Sequence, residues 1–410
     1  MINFTQSKKQ IIILYSSTIF GVCLGVLVSI LNTHSLTPSD YGDVRYINNL
    51  ISFFSGIFLF GYFISGSRLL ALAENKEEAS KIKGTLISIL GLTILLMMII
   101  MIICGLIHQY ILHKDFYNLF YYAIPICGST LVLNYINTSS QGDNSITTIA
   151  AARLLPQLCY LLIAFIIYKI YGASSKSMML LQNGIALFIL IILILKNSPK
   201  FNQLKETFHK LHNENKRYGL QVYYGSLANV SVQYIAGMSL GLFGTDNTNV
   251  GFYTLALTVT SPLMMLPNVI GTTYFKQFAH RDSIPNKILW STYIVSIITL
   301  VAFCILIFPV VNILYSESYK NVAMYASSLA IGFTLHGLGD VYNRFLGAHG
   351  KGNFLRNGAF ISGGIALIGY TIGIYYGGIT AAILTRILSS SIYFYTMVYY
   401  YKQFKKYKQY

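Results

Sequence analysis

Twelve apolar stretches, each long enough to cross a lipid bilayer as a helix, divide this chain of 410 residues. A transmembrane helix needs about 20 residues to cross about 30 Å of hydrocarbon. With 54% hydrophobic and only 10% charged residues, the chain is too apolar for a soluble domain of its length. We therefore expect an all-α polytopic membrane protein, with spans near residues 11–31, 46–72, 85–107, 116–137, 147–170, 177–195, 218–243, 249–275, 288–312, 321–343, 354–375 and 379–401.

The basic residues are distributed unevenly about these spans. If the N-terminus is cytoplasmic and residues at the ends of spans are counted with the adjoining segments, 21 of the 29 Lys and Arg fall in cytoplasmic segments, five in outer segments and three well inside spans. Cytoplasmic loops of membrane proteins carry such an excess of positive charge. The net charge of +16 therefore reflects membrane topology, with both termini in the cytoplasm, and a nucleic-acid partner is not expected.

The longest hydrophilic segment, KNSPKFNQLKETFHKLHNENKR (196–217), separates six spans from six. Phe201, Leu204, Phe208 and Leu211 recur at helical spacing, with lysines elsewhere on the helical wheel. This pattern is typical of an amphipathic helix that lies against anionic lipid. We expect an N-terminal six-helix lobe (1–195), a cytoplasmic amphipathic linker (196–217) and a C-terminal six-helix lobe (218–410).

The two halves also repeat each other at a constant offset of about 209 residues. The offset pairs ILYSS (13–17) with VYYGS (222–226), Gly42 with Gly251, and Gly128 with Gly337. It superimposes the boundaries of helices and loops as well, which isolated identities would not do. Because each half has an even number of spans, both copies enter the membrane the same way round. This predicts two six-helix lobes related by a pseudo-two-fold axis along the membrane normal.

Three segments of the chain resemble a known family. LTPSDYGDVRYINNLISFF (36–54), GYFISGSRLLALAENK (61–76) and TNVGFYTLALTVTSPLMMLP (248–267) are similar to the corresponding stretches of Wzx-type O-antigen flippases. These flippases belong to the multidrug/oligosaccharidyl-lipid/polysaccharide (MOP) exporter superfamily. The resemblance implies alternating-access translocation of an undecaprenyl-pyrophosphate-linked oligosaccharide, an O-antigen or capsule repeat unit, from the inner to the outer leaflet of the bacterial plasma (inner) membrane.

A pyrophosphate-linked substrate needs cationic side chains in the cleft. The arginines within or near the predicted spans are the candidates. Arg153 and Arg386 lie about two turns into the fifth and twelfth spans. An arginine at the centre of a span costs about 2.5 to 3.5 kcal/mol, so it rarely faces lipid. We expect substrate pairing at both, with an internal salt bridge or snorkelling to the membrane surface as alternatives. Arg68 and Arg45 lie nearer span ends, where snorkelling is favoured over substrate binding.

The segment TLHGLGDVYNRF (334–345) places His336, Asp340 and Arg344 on one helical face. One interpretation is an ordinary i, i+4 ion pair between Asp340 and Arg344 near the end of the helix. The other is that Asp340, with His336 one turn deeper, binds a coupling proton or sodium ion, or contacts the substrate. The sequence favours the ion pair between Asp340 and Arg344 and leaves ion coupling and substrate contact at Asp340 open.

Tyrosines mostly cluster near predicted helix ends, as expected for aromatic belts at the membrane surface. Tyr15 and Tyr224 differ because they recur at the repeat offset, near the cytoplasmic start of the first and seventh spans. We expect them to line the mouth of the cleft and to stack on sugars.

Other classes of function agree less well with the sequence. A polysaccharide polymerase would need a large outer loop, whereas every predicted outer loop is short. A MATE-like drug or cation antiporter would show more intramembrane acids, and a lipid II flippase would carry arginines in its first span, where residues 11–31 have none. No HExxH or phosphate-loop motif occurs, and the five cysteines lack the spacing of a metal site. The sequence therefore indicates neither an enzyme nor a bound cofactor or metal.

The charge distribution predicts the topology directly. Reporter fusions after residue 205 and at the C-terminus should both report a cytoplasmic location, because 21 basic residues lie on that side against five outside. A fusion after residue 174, in a predicted outer loop, serves as the opposite control. An external signal at residue 205 or at the C-terminus would contradict the twelve-span arrangement.

Overall fold

The computed structural model describes the backbone of residues 4–196 and 198–408, with side chains described except at 4–12, 14, 15, 225, 228–231, 276, 407 and 408. Within these ranges all regular structure is helical. The α-helices are α1 Phe4–Ser35, α2 Pro38–Ile57, α3 Tyr62–Leu72, α4 Lys76–Tyr110, α5 Asn118–Ala123, α6 Ser129–Gly142, α7 Ile146–Tyr171, α8 Ser175–Lys196, α9 Leu204–Glu214, α10 Leu220–Phe243, α11 Thr248–Thr260, α12 Pro262–Thr273, α13 Phe275–Phe278, α14 Asn286–Leu314, α15 Asn321–Ala348, α16 Gly352–Ile368 and α17 Ile374–Lys408.

Local sequence signals explain where the long helices begin. Thr37 precedes α2 and its hydroxyl accepts a hydrogen bond from the backbone N–H of Asp40 (3.1 Å), while the Asp40 carboxylate accepts one from that hydroxyl (2.7 Å). Together with Pro38 at the first helical position, this is a reciprocal N-terminal cap. The Asn75 side chain caps α4 by accepting a hydrogen bond from the backbone N–H of Glu78 (2.9 Å).

The membrane-spanning helices follow the predicted spans closely. Nine helices of the described chain are long and apolar enough to cross a membrane, and a bent pair, α2 with α3, makes ten if it is one broken span. The stretch Gly352–Lys406 is counted once although it has 55 residues, about 80 Å of straight helix. That length is more than twice the hydrocarbon thickness, so the stretch must contain two spans.

A glycine divides this long stretch in two. Gly378 has φ 53° and ψ −137°, which interrupts the helix inside α17. A Cβ on Gly369 would overlap the Thr385 side chain, and one on Gly373 would lie 3.8 Å from Ala381, so the segments on either side run back along each other. This confirms the predicted separation of spans 354–375 and 379–401. With α10, whose apolar part includes Val232–Phe243, all twelve predicted spans fall on helices.

The second predicted span is broken rather than continuous. α2 and α3 meet at 59°, with Phe60 (φ 44°) and Gly61 (φ 77°) in the left-handed region between them. Asn215 holds this break, because its buried side chain donates to the Phe60 carbonyl (3.0 Å) and accepts from the Ser65 hydroxyl (3.1 Å). The sequence of residues 46–72 gave no sign of the bend because its partner lies 155 residues away.

The chain forms two compact units. The first comprises the residues up to Leu36 with Tyr46–Val230, and the second comprises Thr37–Arg45 with the residues from Ser231 onward. The boundaries expected at residues 195 and 218 stay a prediction, and the hydrophilic segment between them packs on the first unit. Tyr62 of α3 stacks on Phe208 of α9, and its hydroxyl is 2.9 Å from Nδ1 of His212.

In the second unit α15 and α17 lie side by side and run in the same direction. Contacts advance together along both helices, from Phe333 with Arg386, through Asp340 with Tyr393, to Phe345 with Phe404. Two parallel helices require an antiparallel span between them, which α16 supplies. The C-terminal ends of α15 and α17 share an aromatic core, whose buried members include Phe278, Tyr342, Phe345, Tyr401 and Phe404.

Gly42 and Gly251, which the offset of 209 residues pairs, lie in contact within the second unit. A Cβ on Gly42 would overlap the carbonyl oxygen of Asn247, and one on Gly251 would lie 3.4 Å from the Gly42 Cα. Asn247 is buried and donates a hydrogen bond from Nδ2 to Asp43 (2.7 Å). The starts of α2 and α11 therefore pack backbone to backbone.

Gly42→Ala should destabilise the protein, by about 1 to 3 kcal/mol, because a methyl group cannot fit against the Asn247 carbonyl. Gly91→Ala is the matched control, since nothing lies within 4 Å of a Cβ there and alanine favours a helix more than glycine does. Thermal unfolding in detergent measures both. Equal melting temperatures for Gly42→Ala and the parent would contradict the packing described.

Candidate functional site

The first unit contains a cavity of about 500 Å³. Its walls come from α1, α6, α7 and α8 and combine apolar side chains such as Val28 and Leu133 with hydroxyl and amide groups. This volume lies within the range of about 300 to 1,000 Å³ typical of small-molecule sites. Among the described residues that line it, Arg153 is the one charged side chain.

Two hydrogen-bonded groups fix part of the cavity wall. The Tyr160 hydroxyl of α7 donates to Oδ1 of Asn32 on α1 (2.6 Å) and lies 2.9 Å from the Tyr168 hydroxyl. Asn183 of α8 donates from Nδ2 to Asn48 Oδ1 (3.0 Å) and accepts from the Ser129 hydroxyl of α6 (3.2 Å). Buried polar groups with such partners are stable in an apolar interior, so these residues hold the helices together.

Three other groups in the wall have a different character. Arg153 is the eighth residue of α7 and is exposed at the cavity. Gln157, one turn further, and Gln182 of α8 each carry a buried Oε1 atom without a hydrogen-bond partner. An unsatisfied buried acceptor is unfavourable, by about 1 to 3 kcal/mol, so these side chains are suited to meet a ligand.

A proline adds a further acceptor to the same wall. Pro156 lies inside α7 beside Gln157 and lines the cavity together with Ala152. Proline has no N–H, so it cannot bond the carbonyl of the residue four positions earlier, which is Ala152. The helix therefore offers a backbone oxygen at the level of Arg153 and Gln157.

The second unit holds a cluster of ionisable and aromatic groups between α15 and α17. The Tyr393 hydroxyl donates to Oδ1 of Asp340 (2.9 Å), and the Tyr393 ring stacks on His336 with centroids 4.5 Å apart. The Arg386 guanidinium lies over the Phe333 ring, 4.6 Å from its centroid, and its Nε has no hydrogen-bond partner. His336, Asp340 and Arg386 are all partly buried.

The i, i+4 ion pair that the sequence favoured is not formed. The described ion pairs do not include Asp340 with Arg344, and the Arg344 Nη2 instead donates to Asn268 of α12 (3.4 Å). A tyrosine from a neighbouring helix takes the place of the arginine because Tyr393 stands directly beside Asp340. Asp340 therefore belongs to an interior cluster rather than to a paired helix end.

The other two arginines are engaged by neighbours near helix ends. Arg68 forms an ion pair with Glu214 (2.6 Å) and lies over the Tyr218 ring (5.0 Å). Arg45 lies over the Tyr41 ring at 4.8 Å, and its Nε is buried without a hydrogen-bond partner. Arg68 thus ties α3 to the end of α9 and to the segment after it, whereas the Arg45 Nε has no hydrogen-bond partner.

The repeat offset pairs Tyr15 with Tyr224. The Tyr15 side chain lies outside the described residues. Tyr224 is 65% exposed and contacts the neighbouring Tyr223 ring. Their predicted role in sugar stacking stays a prediction.

Sequence reasoning missed Gln157, Gln182, Tyr393 and the asparagine network. A signal was available for Gln157, because a glutamine one turn after an arginine in an apolar span marks a polar helical face. Tyr393 gave no comparable signal, because tyrosine is common throughout the chain.

The sequence matches a family model described as "Polysaccharide biosynthesis protein" over residues 7–276, more than half of the chain. The chain belongs to this family. None of the curated proteins compared matches the chain.

Solved structures share the fold of this polysaccharide biosynthesis protein. The lipid II flippase MurJ in an inward closed conformation aligns with a TM-score of 0.74 at 12% identity, over 95% of this chain and 87% of that chain. An inward-facing MATE family transporter of the MOP superfamily aligns with a TM-score of 0.66 at 14% identity, over 95% and 96% of the two chains. The eukaryotic MATE transporter AtDTX14 gives 0.58 at 14% identity, over 97% and 95%. The expected MOP fold is confirmed.

Tyr393→Phe should lower the thermal stability of the protein in detergent. It removes the hydrogen bond to Asp340 and leaves a buried polar group unpaired, which costs about 1 to 3 kcal/mol. Tyr395→Phe on the same helix is the control, because its ring is 68% exposed. Equal melting temperatures for the two variants would show that the Tyr393–Asp340 bond does not stabilise the second unit.

Proposed function

We propose that this protein is a flippase that moves an undecaprenyl-pyrophosphate-linked oligosaccharide, an O-antigen or capsule repeat unit, from the inner to the outer leaflet of the bacterial plasma (inner) membrane by alternating access. The family assignment supports a role in polysaccharide biosynthesis. The observation that carries the proposal is a cavity within an apolar helical unit, in which Arg153 is the one charged side chain among the described lining residues. Guanidinium groups suit phosphates because they present several N–H donors in a planar fork.

The charge of the cavity favours an anionic substrate over a cationic drug. Its lining among the described residues includes an arginine and neither aspartate nor glutamate. A cation exporter would place acids where its substrate binds, because a charge in a low-dielectric cavity needs an opposite partner. Within the second unit, Arg386 has a buried Nε without a hydrogen-bond partner and is a further candidate to bind a phosphate.

The same proposal fixes the expected surroundings of the protein. Both termini lie in the cytoplasm, membrane lipids surround the spans, and the polymerase and chain-length regulator of the same pathway are the expected protein partners. Arg153 and Arg386 bind the pyrophosphate, whereas Arg45, Tyr15 and Tyr224 contribute to the ends of the translocation path. Arg68 contributes chiefly through its ion pair with Glu214.

Arg153→Ala and Arg386→Ala should leave the protein in the membrane at parental levels but reduce delivery of lipid-linked units to the outer leaflet by at least about tenfold, the loss of one charge-assisted contact. Arg→Lys at either position should retain more activity because the charge remains. Arg281→Ala is the control, since Arg281 lies in an exposed loop before α14. Surface polysaccharide in a strain deleted for the parental gene provides the measurement. Surface polysaccharide at the parental level with both alanine variants would show that these arginines have a structural role and do not bind the substrate.

Ion coupling is proposed at Asp340 with His336. A pyrophosphate that moves outward is favoured by about 2.3 kcal/mol per charge at 100 mV, so an ion is needed chiefly to return the empty, cationic protein. The partly buried carboxylate of Asp340 between α15 and α17 suits a proton or sodium ion.

Asp340→Asn should therefore abolish the dependence of transport on a proton or sodium gradient while the lipid-linked substrate still binds. Asp115→Asn is the control because Asp115 is exposed between two spans. Transport by the Asp340→Asn and Asp115→Asn variants is compared in proteoliposomes, with the membrane potential and each ion gradient imposed separately. A gradient response in Asp340→Asn equal to that of the parent would restrict Asp340 to a structural role.

A further inference from the structure

The polar groups of the first-unit cavity fall into two sets. In the first set, the Tyr160 hydroxyl on α7 donates to Oδ1 of Asn32 on α1, and Asn183 on α8 bonds to Asn48 on α2 and Ser129 on α6, so these groups position the walls. The Asn32 Nδ2 is buried without a partner, but Asn32 is not among the described residues that line the cavity. Gln157 and Gln182 belong to the second set, because the Oε1 atom of each is buried and has no partner. The first set holds the helices of the cavity wall together, whereas the second set is available to bind a ligand inside the cavity.

An amide side chain recognises a particular kind of ligand. It offers both a carbonyl acceptor and an N–H donor, so it pairs equally well with a hydroxyl, which also donates and accepts. The two glutamines come from different helices, α7 and α8, and the Ala152 carbonyl adds a third acceptor beside Pro156. Apolar side chains, including Val22 and Leu190, line other parts of the wall and suit the C–H faces of a sugar ring.

We infer that this cavity is a saccharide subsite, in which Gln157 and Gln182 read the hydroxyl groups of an uncharged sugar beside a phosphate held by Arg153. The inference rests on the proposed function and specifies which part of the substrate the first unit recognises. Neutral sugars fit because the described lining contains no second charge for an ionic sugar substituent. The cavity of about 500 Å³ admits a short segment of the oligosaccharide rather than a whole polymer.

The test compares two lipids that differ only in the sugar. The first is the lipid-linked oligosaccharide extracted from cells of the source organism that lack this protein, and the second is undecaprenyl pyrophosphate without sugar. Binding of each to the full-length protein in lipid nanodiscs is measured for the parent and for Gln157→Met, Gln182→Met and the double variant. Methionine keeps the length of the side chain and removes its hydrogen bonds. Gln141→Met, an exposed glutamine at the other end of cavity helix α6, is the control.

We expect the parent to bind the glycosylated lipid about tenfold more tightly than the bare lipid, as two hydrogen bonds would give. The double variant should lose this preference and bind both lipids as the parent binds the bare one. Gln141→Met should behave as the parent. Methylation of the sugar hydroxyls should weaken binding to the parent without affecting the double variant.

The outcomes separate this inference from the proposed function. If the parent binds both lipids equally, or if the double variant keeps the preference for sugar, the saccharide subsite is wrong and the flippase proposal stands on Arg153. If the parent binds neither lipid, the proposed function fails and the subsite with it. The comparison of the two lipids on the parent needs no variant, so it remains decisive even if a methionine variant does not fold.

Discussion

The need to satisfy every polar group inside hydrocarbon governs this structure. An unpaired amide or hydroxyl in an apolar interior costs several kcal/mol, so polar residues within spans must meet partners on other helices. Tyr160 with Asn32, and Asn183 with Ser129 and Asn48, do so in the first unit, and Tyr393 with Asp340 does so in the second. Among the described residues that line the first-unit cavity, Gln157 and Gln182 are the two with a buried side-chain oxygen that lacks a hydrogen-bond partner. Arg386 has a buried Nε without a partner in the second unit, and these groups are available to a substrate.

The same constraint shapes the places where the helices break. The bend between α2 and α3 exposes backbone groups, and the Asn215 side chain satisfies the Phe60 carbonyl there. At Gly378 the chain reverses within a continuous apolar stretch, and at Gly42 and Gly251 two helix starts approach until their backbones touch. Glycine is required at these points because a Cβ would meet backbone atoms or a strained φ angle.

Sequence reasoning predicted the parts of this molecule that depend on composition along the chain. Apolar length located all twelve spans, including the separation of 354–375 from 379–401. Arg153 was found because a charge in an apolar span is conspicuous, and the structure places it at the cavity.

Features that depend on contacts between distant residues were not accessible from the sequence. Asp340 was assigned to Arg344, four residues away, whereas Tyr393 lies 53 residues away and forms the hydrogen bond. Helical spacing predicted the amphipathic segment, but it gave no indication that Tyr62, Ser65 and Arg68 would hold that segment on α3. In both cases tertiary packing supplied a partner that local spacing does not reveal.

Movement of a lipid-linked saccharide between leaflets is the central claim, and it is measured directly in proteoliposomes. The lipid-linked oligosaccharide extracted from cells lacking the protein is placed in both leaflets, and an impermeant glycosidase or lectin reports the fraction of sugar reached from outside. With the parent protein this fraction should rise beyond the outer-leaflet share towards completeness, whereas Arg153→Ala should slow the rise markedly. Accessibility that stays at the level of protein-free vesicles would contradict the assignment of this protein as a flippase.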